Sequence, residues 1–352
     1  MITKSVFKQR IAAFVQLGNV LKNLSTDQHW PGFTCGLTKE EYEGMTSLIE
    51  TLYLQNGWFT PQNVKNALFA WSNLLSEENL QEFTKPYIKE EVSTKKIAII
   101  CAGNIPMVGF HDIFCVLLSG HHAFIKLSSD DKELIPAMLI MLEKFEPEMK
   151  ESYSYASGKM EDFQAVIATG SNNTSRYFNE YFKNYPHIIR KNRTSVAIIT
   201  GEESEQELID LGKDIFLYFG LGCRSITKLF LPEGYDIQRV FAAIYPYHPI
   251  INHNKYANNY DYHKALWLLN QDDLLDNGFI LFKQDAGLHA PTASLYYEYY
   301  ENIGTLKEYL QSMNEEIQCI VGADYLPLGT AQSPQLEDYA DGINTMEFLA
   351  RL

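Results

Sequence analysis

A single thiol, Cys223, lies just before an apolar run in the stretch YFGLGCRSITKLFLP. Gly220 and Gly222 leave the backbone next to it without side chains. Bare backbone lets N–H groups approach a substrate and point toward a developing oxyanion, so this pattern is typical of a cysteine nucleophile. The alternative is a structural cysteine packed at a glycine turn. The run from Ile226 to Leu231 predicts a buried strand directly after the thiol.

Polar residues that could bind a nucleotide and a substrate follow three other apolar runs. Asn104 lies near the end of KKIAIICAGNIP, and Lys126 ends the apolar part of HAFIKLSS. Thr169, Gly170 and Ser171 follow the run DFQAVIA. Open α/β sheets bind their ligands at the carboxyl ends of the strands, where such residues would meet. Each has a plainer alternative, because asparagine forms turns, lysine is commonly exposed and a Thr-Gly-Ser sequence caps helices.

The elements that must position these residues alternate between strands and helices from about Lys95 onward. Short apolar runs without polar alternation, such as Ile97 to Cys101, predict strands that are covered on both faces. Helical periods follow them, including one closed by Gly120 and one that begins with the capping box of Ser204 and Glu207. About the first ninety residues are predicted to be mostly helical. The alternation predicts a doubly wound α/β fold.

The chain of 352 residues exceeds the usual size of one domain. We predict a helical segment and a dinucleotide-binding domain in 1–200, and a catalytic domain with the nucleophilic cysteine in 201–325. The tail, 326–352, is predicted to return to the cofactor domain or to form a dimer contact. The region from Tyr245 to His263 is rich in Tyr, Asn, Pro and His, which predicts an irregular functional loop.

Composition and charge narrow the class of protein. The formal net charge of -15 argues against nucleic acid as the main partner, because phosphate contacts need a basic face. The five cysteines have no CxxC spacing, so neither a disulfide framework nor a zinc site is predicted, and a reducing cytoplasm fits best. We recognise no signal peptide and no membrane span. The densest basic run, from Arg190 to Arg193, is interpreted as a solvated turn, with an anion contact as the alternative.

The histidines do not predict a metal site. His121 and His122 are adjacent, so on a strand their side chains point to opposite faces and cannot chelate one ion together. His248, His253 and His263 lie in the predicted loop without carboxylate support, which favours ordinary loop roles over metal binding.

The order of the pieces AGNIP, HAFIKLSS, ATGSNN, KNRTSVAII and FGLGC resembles the aldehyde dehydrogenase superfamily. Within it, the chain is most similar to the LuxC-type acyl-CoA reductases, which make fatty aldehydes from activated acyl groups in bacterial luminescence. The similarity extends from about Lys95 to Leu352, and GTAQSP and DYADG in the tail are similar to short reductases of this group. It implies an aldehyde dehydrogenase-like fold with a Rossmann-like cofactor domain, an α/β catalytic domain and a helical N-terminal segment.

The resemblance assigns roles by position. It implies that Cys223 is the nucleophile and that Asn104 supplies the side-chain amide of the oxyanion hole. Lys126 matches the lysine that holds the adenosine ribose. Gly170 and Ser171 match the start of the dinucleotide-binding helix, where backbone N–H groups meet the pyrophosphate. The other implied cofactor contacts are Ser128, Ser129 and Thr169.

Two positions depart from other members of the superfamily. Oxidising members carry a glutamate that activates water, and Arg190 stands at that position here. Without a general base, water attacks a thioester poorly, whereas a CoA thiolate replaces another thiolate unaided, so the departure favours exchange with CoA over hydrolysis. Ser129 stands where NAD-preferring relatives carry a glutamate, and a serine leaves room for a 2′-phosphate, whereas the nearby carboxylates of Asp130 and Asp131 oppose one.

The resemblance therefore implies NADPH-dependent reduction of an acyl-CoA, with NADH as the alternative cofactor and an acyl-protein thioester as the alternative donor. Arg224 would favour the Cys223 thiolate if its charge lies near, and His289 falls where the family approaches the nicotinamide. A homodimer or larger oligomer and an acyl-protein synthetase are the implied protein partners. Aldehyde oxidation, a papain-like cysteine hydrolase and a non-catalytic nucleotide-binding protein are the competing functions.

Overall fold

The computed structural model describes residues 2–87 and 91–352. The chain divides into two compact units, the first made of Met1–Lys191 and Gln335–Leu352 and the second of Asn192–Pro334. The sequence-based boundaries at 200 and 325 both fall inside the second unit, and the chain from Gln335 onward belongs to the first. The assignment of cofactor binding and of the nucleophile to separate domains stays a prediction.

Helices occupy most of the described residues up to 87, as the sequence predicts. They are Lys4–Ser25 (α1), Lys39–Thr51 (α2), Pro61–Leu74 (α3) and Glu77–Thr84 (α4). Phe14, Leu17 and Leu21 in α1 are spaced by three and four residues and are fully buried. The helix α2 begins with a capping box formed by Thr38 and Glu41. The strand Ile2–Thr3 (β1) pairs antiparallel with Glu91–Val92 (β2).

A parallel sheet with five strands follows in the first unit. The strands are Lys96–Ile100 (β3), His122–Lys126 (β4), Tyr153–Tyr155 (β5), Ala165–Thr169 (β6) and His187–Arg190 (β7). The helices between them are Phe110–Leu118 (α5), Leu134–Phe145 (α6) and Asn172–Phe182 (α7). The spatial order is β5-β4-β3-β6-β7, so the chain moves outward from β3 and then returns to its other side. The predicted doubly wound fold is confirmed, and its strand order reverses between β3 and β6.

The second unit contains a sheet with six strands, in the order β10-β11-β12-β9-β8-β13. The strands are Thr194–Ile198 (β8), Ile226–Pro232 (β9), Leu274–Asp276 (β10), Leu281–Gln284 (β11), Ser294–Tyr300 (β12) and Ile317–Val321 (β13). The helices are Glu205–Phe216 (α8), Gln238–Ile244 (α9), Asn254–Leu269 (α10) and Ile303–Ser312 (α11). All neighbouring strands are parallel except β10 and β11. The strand predicted directly after Cys223 is β9, one of the two central strands of this sheet.

The region from Tyr245 to His263 is not an irregular loop, and that prediction is wrong. A 3-10 helix spans Tyr245–Asn252, and α10 covers the remainder. His253 caps α10 by accepting a hydrogen bond from the backbone N–H of Tyr256. The many polar residues of this region lie on an exposed helix surface, which explains why its composition is typical of a loop.

The tail belongs to the first unit and ends with the helix Thr345–Ala350 (α12). Arg190 links this helix to α5 and β7. Arg190 is only 3% exposed and forms a bidentate pair with Asp112 of α5, at 2.7 Å from Nη2 and 3.1 Å from Nε. It also donates to the Thr345 hydroxyl at 2.7 Å and to the Ala340 carbonyl. The interpretation of Arg190 as part of a solvated turn is therefore wrong, because its charge is buried and paired within the protein.

Candidate active site

The first-unit residues predicted to bind ligands lie at one edge of the five-stranded sheet. Asn104 follows β3, Lys126 ends β4, and Thr169 ends β6 with Gly170 and Ser171 directly after it. These strands are parallel neighbours, so their carboxyl ends meet at the same edge. The strands β3 and β6 flank the point where the strand order reverses, which is where open α/β sheets bind ligands. The structure brings these residues together, while their individual roles stay predictions.

The loop that carries Asn104 is packed tightly by two glycines. A Cβ at Gly103 would lie 2.5 Å from Ser128 Oγ, and a Cβ at Gly109 would lie 2.8 Å from Cys101 Cβ. Larger residues at either glycine would push the loop away from its neighbours. Asn104 itself is exposed at the sheet edge. The loop therefore holds the exposed residue Asn104 on a firmly packed backbone.

A cavity of about 660 Å³ opens beside Lys126. It is lined by Ile100, Lys126, Lys159, Met160, Tyr177, Phe178, Glu180, Tyr181 and Phe182. Tyr177 and Tyr181 are 69% and 59% exposed, so their rings are free to stack on a planar ligand. Two lysines and several aromatic rings together suit a ligand with an aromatic base and an anionic group. Lys159 carries no sequence motif, and sequence reasoning missed it.

Ser171 is the N-cap of α7, where its side chain accepts from the backbone N–H of Thr174 at 3.2 Å. Gly170 lies so close to this helix that an added Cβ would be 3.0 Å from Phe178 and Thr174 side-chain atoms. The helix N-terminus carries unpaired N–H groups and a partial positive charge, which favour an anion at this position. The pyrophosphate contact at Gly170 and Ser171 stays a prediction.

The segment after β4 presents some of its polar residues outward and buries one carboxyl group. Ser129 and Asp130 are exposed, and Ser128 Oγ accepts from the backbone N–H of Asp130 at 3.2 Å. Asp131 is only 2% exposed, and burial raises the pKa of its carboxyl to about 6. Of the two carboxylates beside Ser129, Asp130 is therefore exposed at this edge of the sheet and Asp131 is buried.

In the second unit, Cys223 lies in a sharp bend between α8 and β9. The residues Tyr218, Phe219 and Gly220 have positive φ angles of 53°, 60° and 73°. The left-handed region costs about 1–2 kcal/mol for each residue other than glycine. Tyr218 is buried and the Phe219 ring stacks on His253 with centroids 4.1 Å apart, and these contacts offset part of that cost. These contacts therefore hold the backbone that leads to Cys223 in one conformation.

Ser195 is fully buried on β8. It anchors the backbone of the segment 217–225, which joins α8 to β9 and carries Cys223, and which we name the nucleophile loop. Its Oγ donates to the carbonyl oxygen of Cys223 at 2.9 Å and accepts from the backbone N–H of Cys319 at 3.2 Å. Cys319 Sγ lies 3.1 Å from the same hydroxyl. Sequence reasoning missed Ser195, and the available signal was a polar residue inside the apolar run TSVAIIT.

The five cysteines differ in exposure. Cys223 and Cys319 are partly exposed, whereas Cys35, Cys101 and Cys115 are buried. Burial raises the pKa of the Cys101 thiol and that of the Cys115 thiol well above the usual range. These two thiols are therefore protonated at neutral pH and poor nucleophiles.

Two further residues singled out in the sequence lie on segments bonded to the nucleophile region. Arg224 donates from Nε to the carbonyl of Ala331, and its effect on the thiol stays a prediction. His289 is exposed and follows Leu288, whose carbonyl accepts from Thr227 Oγ1 at 2.6 Å. Since Thr227 belongs to β9, the strand after Cys223 also supports the segment that carries His289.

Within 2–87 and 91–352, no group of three His, Cys, Asp or Glu side chains is arranged to hold a metal ion. Among the same residues, no helix combines the length and the apolarity that a membrane span requires.

The structure resembles solved aldehyde dehydrogenases. It matches aldehyde dehydrogenase 21 from Physcomitrella patens, in complex with the product succinate, with a TM-score of 0.59 and 13% identity over 89% of this chain and 75% of that chain. For P. syringae indole-3-acetaldehyde dehydrogenase AldA, in complex with NAD+ and IAA, the TM-score is 0.61 with 13% identity over 91% and 74%. A Bradyrhizobium japonicum PutA structure gives 0.62 and 13% identity over 90% of this chain and 36% of that one. A comparison with curated proteins finds no match.

These likenesses define the class of protein, which has the fold of the aldehyde dehydrogenase superfamily. Residues 40–243 match the family described as acyl-CoA reductase (LuxC), which is more than half of the chain and includes Asn104, Lys126 and Cys223. The protein belongs to the LuxC acyl-CoA reductase family. The resemblance inferred from the sequence is confirmed, and membership of this family supports an oxidoreductase activity in aldehyde chemistry on acyl substrates.

Proposed function

We propose that the protein reduces an acyl-CoA thioester to the aldehyde with NADPH, through an acyl group carried by Cys223. The observation that carries this proposal is a partly exposed thiol on an anchored bend, within the residues that match the LuxC family. A nucleophile needs both access to the substrate and a fixed orientation, and this bend supplies both.

The residues at the edge of the five-stranded sheet fit a dinucleotide. The cavity beside Lys126 offers Tyr177 and Tyr181 to an adenine ring, and the N-terminus of α7 offers N–H groups to a pyrophosphate. Ser128, Ser129, Thr169 and Gly170 lie at the same edge. AldA is described with NAD+ bound, which supports a nicotinamide cofactor in a fold of this kind. When bound, reduced nicotinamide supplies the hydride that brings an acyl group to the aldehyde level.

The chain's own residues perform the transfer of the acyl group. The Cys223 thiolate uses its electron pair to form a bond to the thioester carbonyl carbon. The π bond of the carbonyl breaks, and its electron pair moves to the oxygen, which becomes an oxyanion. The donors to that oxyanion in this proposal are those that the family resemblance implies, the Asn104 amide and the Cys223 backbone N–H. When the oxyanion collapses, the bond to CoA sulfur breaks and CoA leaves as a thiolate. An acyl thioester on Cys223 remains.

Several finer features belong to the same proposal. The donor is acyl-CoA, with an acyl-protein thioester as the alternative, and the partners implied by the resemblance are a second copy of the chain and an acyl-protein synthetase. The pathway implied is the fatty aldehyde supply of luminescence, in the cytoplasm. Arg190 supplies no base for water where oxidising relatives carry glutamate, because it is positively charged and bonded to Asp112. This favours CoA over water as the acceptor of the acyl group.

The test of this function is consumption of reduced cofactor with a panel of acyl-CoA chain lengths. The expected result is oxidation of NADPH, with one aldehyde formed for each cofactor consumed, and a slower reaction with NADH. Aldehyde oxidation instead predicts reduction of NADP+ with an aldehyde and no dependence on CoA. Binding of NADPH without turnover on any acyl-CoA would overturn the proposed reductase and favour a non-catalytic nucleotide-binding protein.

Replacing Lys159 with methionine is expected to weaken the preference for NADPH. Lys159 lines the cavity beside Lys126, and its ion pair with Glu161 at 2.9 Å is solvent-exposed, so its ammonium group can turn to a 2′-phosphate. A charge-assisted hydrogen bond is worth about 1.5–3 kcal/mol, so the KM for NADPH should rise about tenfold or more while that for NADH stays the same.

Lys85→Met is the matched control, because Lys85 is also an exposed lysine paired with a glutamate, Glu82 at 3.4 Å, and neither residue lines the cavity. Its KM values for both cofactors should equal those of the wild-type protein. Equal increases in KM for NADPH and NADH in Lys159→Met would remove Lys159 from recognition of the 2′-phosphate.

A further inference from the structure

A short segment of the chain, Gly329 to Gln332, lies against the nucleophile loop, and we name it the strap. Asp214, in the last turn of α8, is fully buried and holds one side of the strap. Its Oδ2 accepts from the backbone N–H of Gly329 at 2.6 Å, and its Oδ1 accepts from that of Ala331 at 2.9 Å. Both carboxylate oxygens are therefore used by the strap.

The other side of the strap is bonded to the two residues that follow Cys223. The carbonyl of Ala331 accepts from Arg224 Nε, and Gln332 Nε2 donates to Ser225 Oγ at 3.1 Å. The Ser195 hydroxyl holds the carbonyl of Cys223 itself at 2.9 Å. The nucleophile loop is thus fixed at three consecutive residues, and two of these links run through the strap to Asp214.

The close approach of the strap to α8 is built into the sequence. Gly329 has a φ of +86°, and an added Cβ would lie 2.7 Å from the Cβ of Asp210. Glycine is the residue that allows both this backbone conformation and this contact. The approach brings the N–H groups of Gly329 and Ala331 within hydrogen-bond distance of the Asp214 carboxylate, which forms no ion pair with any residue that the structure describes.

Burying a carboxylate is costly unless hydrogen bonds satisfy it. Burial raises the pKa of Asp214 to about 6, and the two N–H bonds, with the charges of Arg224 and Lys213, oppose that rise. An apolar residue in α8 would fill the core without this cost. The hydrogen bonds from Asp214 to the strap give a reason for burying a carboxylate at this position.

We propose that Asp214 is a positioning residue, which acts through the strap to fix the nucleophile loop of Cys223. This inference rests on the proposed function for its effect on turnover. By holding Ala331, Asp214 holds the partner of Arg224, and so limits the movement of the backbone on the carboxyl side of Cys223. A misplacement of about 1 Å at a reacting group can lower a rate on the order of a hundredfold.

The test compares Asp214→Asn with Asp210→Asn. The asparagine amide can accept only one of the two strap N–H groups, because its NH2 group is a donor. Asp210 lies one turn earlier in α8 and is paired with Lys213 at 2.7 Å near the surface, so it provides the same chemical change without contact between its carboxylate and the strap. Steady-state rates and hydrogen exchange of the loop amides are measured for both variants.

For Asp214→Asn we expect kcat to fall about tenfold to a hundredfold, with the KM for the nicotinamide cofactor unchanged. The amides of Leu221 and Ser225, which bond to the loop carbonyls of Tyr218 and Gly222, should exchange about tenfold faster. Asp210→Asn should match the wild-type protein in both measurements. Wild-type kcat and wild-type loop exchange in a folded Asp214→Asn protein would overturn the proposal, even if its melting temperature falls.

A second variant covers the case in which Asp214→Asn does not fold. Gln332→Ala removes one bond to Ser225 from a partly exposed position, and we expect a kcat about fivefold lower with faster exchange of the loop amides. A folded Gln332→Ala protein with wild-type kcat and wild-type exchange of the loop amides would contradict the proposal that the strap positions the nucleophile loop. Hydrogen exchange needs no substrate, so a wild-type protein that is inactive on acyl-CoA would refute the proposed function while the exchange result still decides the role of Asp214.

Discussion

Replacing Cys223 with alanine is expected to abolish aldehyde formation from acyl-CoA. The change removes the thiol but keeps the backbone carbonyl to which Ser195 donates, so the bend should persist. Loss of a covalent nucleophile typically lowers turnover by about a thousandfold or more. Incubated with acyl-CoA and no nicotinamide, the wild-type protein should gain the mass of one acyl group on the peptide that contains Cys223, and the variant should gain none.

Cys319→Ser is the sharpest control for this experiment. Cys319 is also partly exposed, and its Sγ lies 3.1 Å from the hydroxyl of Ser195. A serine keeps a hydrogen-bonding group at that place, so turnover should stay within about twofold of the wild-type value. An acyl group found on Cys319, or aldehyde formed by a folded Cys223→Ala protein, would show that the nucleophile has been assigned to the wrong residue.

The sheet of the first unit and its polar edge could be predicted because their signals are local. The run Ile97 to Cys101 has no polar alternation, and Ile97, Ala98 and Ile99 are indeed buried in β3. Asn104, Lys126 and Thr169 come directly after or at the ends of such runs, so the topology of a parallel sheet is enough to bring them to one edge.

Other parts of the candidate site depend on partners that are distant in the sequence. Asp214 is bonded to residues 115 and 117 positions away, and Ser195 to a residue 124 positions away. Neither side chain belongs to a motif, and each lies in a segment whose apolar pattern predicts only a buried element. Such contacts follow from the packing of whole elements, which the local pattern of one segment does not determine.

Arg190 illustrates how a local pattern can mislead. Its neighbours Lys191 and Asn192 are exposed, and the basic run is typical of a solvated turn. However, Arg190 is the last residue of β7 and its side chain alternates inward, where Asp112 lies 78 residues earlier in the chain. The Arg190 guanidinium is buried because the Asp112 carboxylate on α5 neutralises its charge, and the local sequence around Arg190 does not reveal that partner.

Replacing Arg190 with methionine is expected to lower the free energy of unfolding of the first unit by about 3–5 kcal/mol, the typical cost of breaking a buried ion pair. Methionine keeps much of the volume but leaves the Asp112 carboxylate buried without its cation. The Thr345 hydroxyl, which Arg190 also holds, would lose its donor, so α12 should detach more readily. Urea unfolding and hydrogen exchange of the tail measure the two effects.

The double variant Arg190→Met with Asp112→Leu separates the charge from the packing. Replacing a whole buried pair by apolar residues is often close to neutral, so the double variant should recover most of the stability that the single variant loses. A single variant within about 1 kcal/mol of the wild-type protein would contradict the structural role of the pair.

The loss of stability in Arg190→Met should depend on pH, because it depends on the ionisation of Asp112. Although burial raises the pKa of Asp112, the Arg190 guanidinium outweighs it and the pKa lies below its usual value. The stability from the pair is therefore present above the unfolded-state pKa of about 3.9 and is lost as the pH falls through the lower folded-state value. The deficit of Arg190→Met relative to the wild-type protein should be full at neutral pH and should shrink in acid.

The same pair decides what a glutamate at this position would do. Arg190→Glu would place a second carboxylate against Asp112 in a buried site, where two like charges cannot both be ionised without a large cost. We therefore expect this variant to unfold the tail rather than to hydrolyse the acyl group on Cys223. A folded Arg190→Glu protein that releases free fatty acid faster than the wild-type protein would show that the residue reaches the acyl group, and that its bond to Asp112 is not essential to the fold.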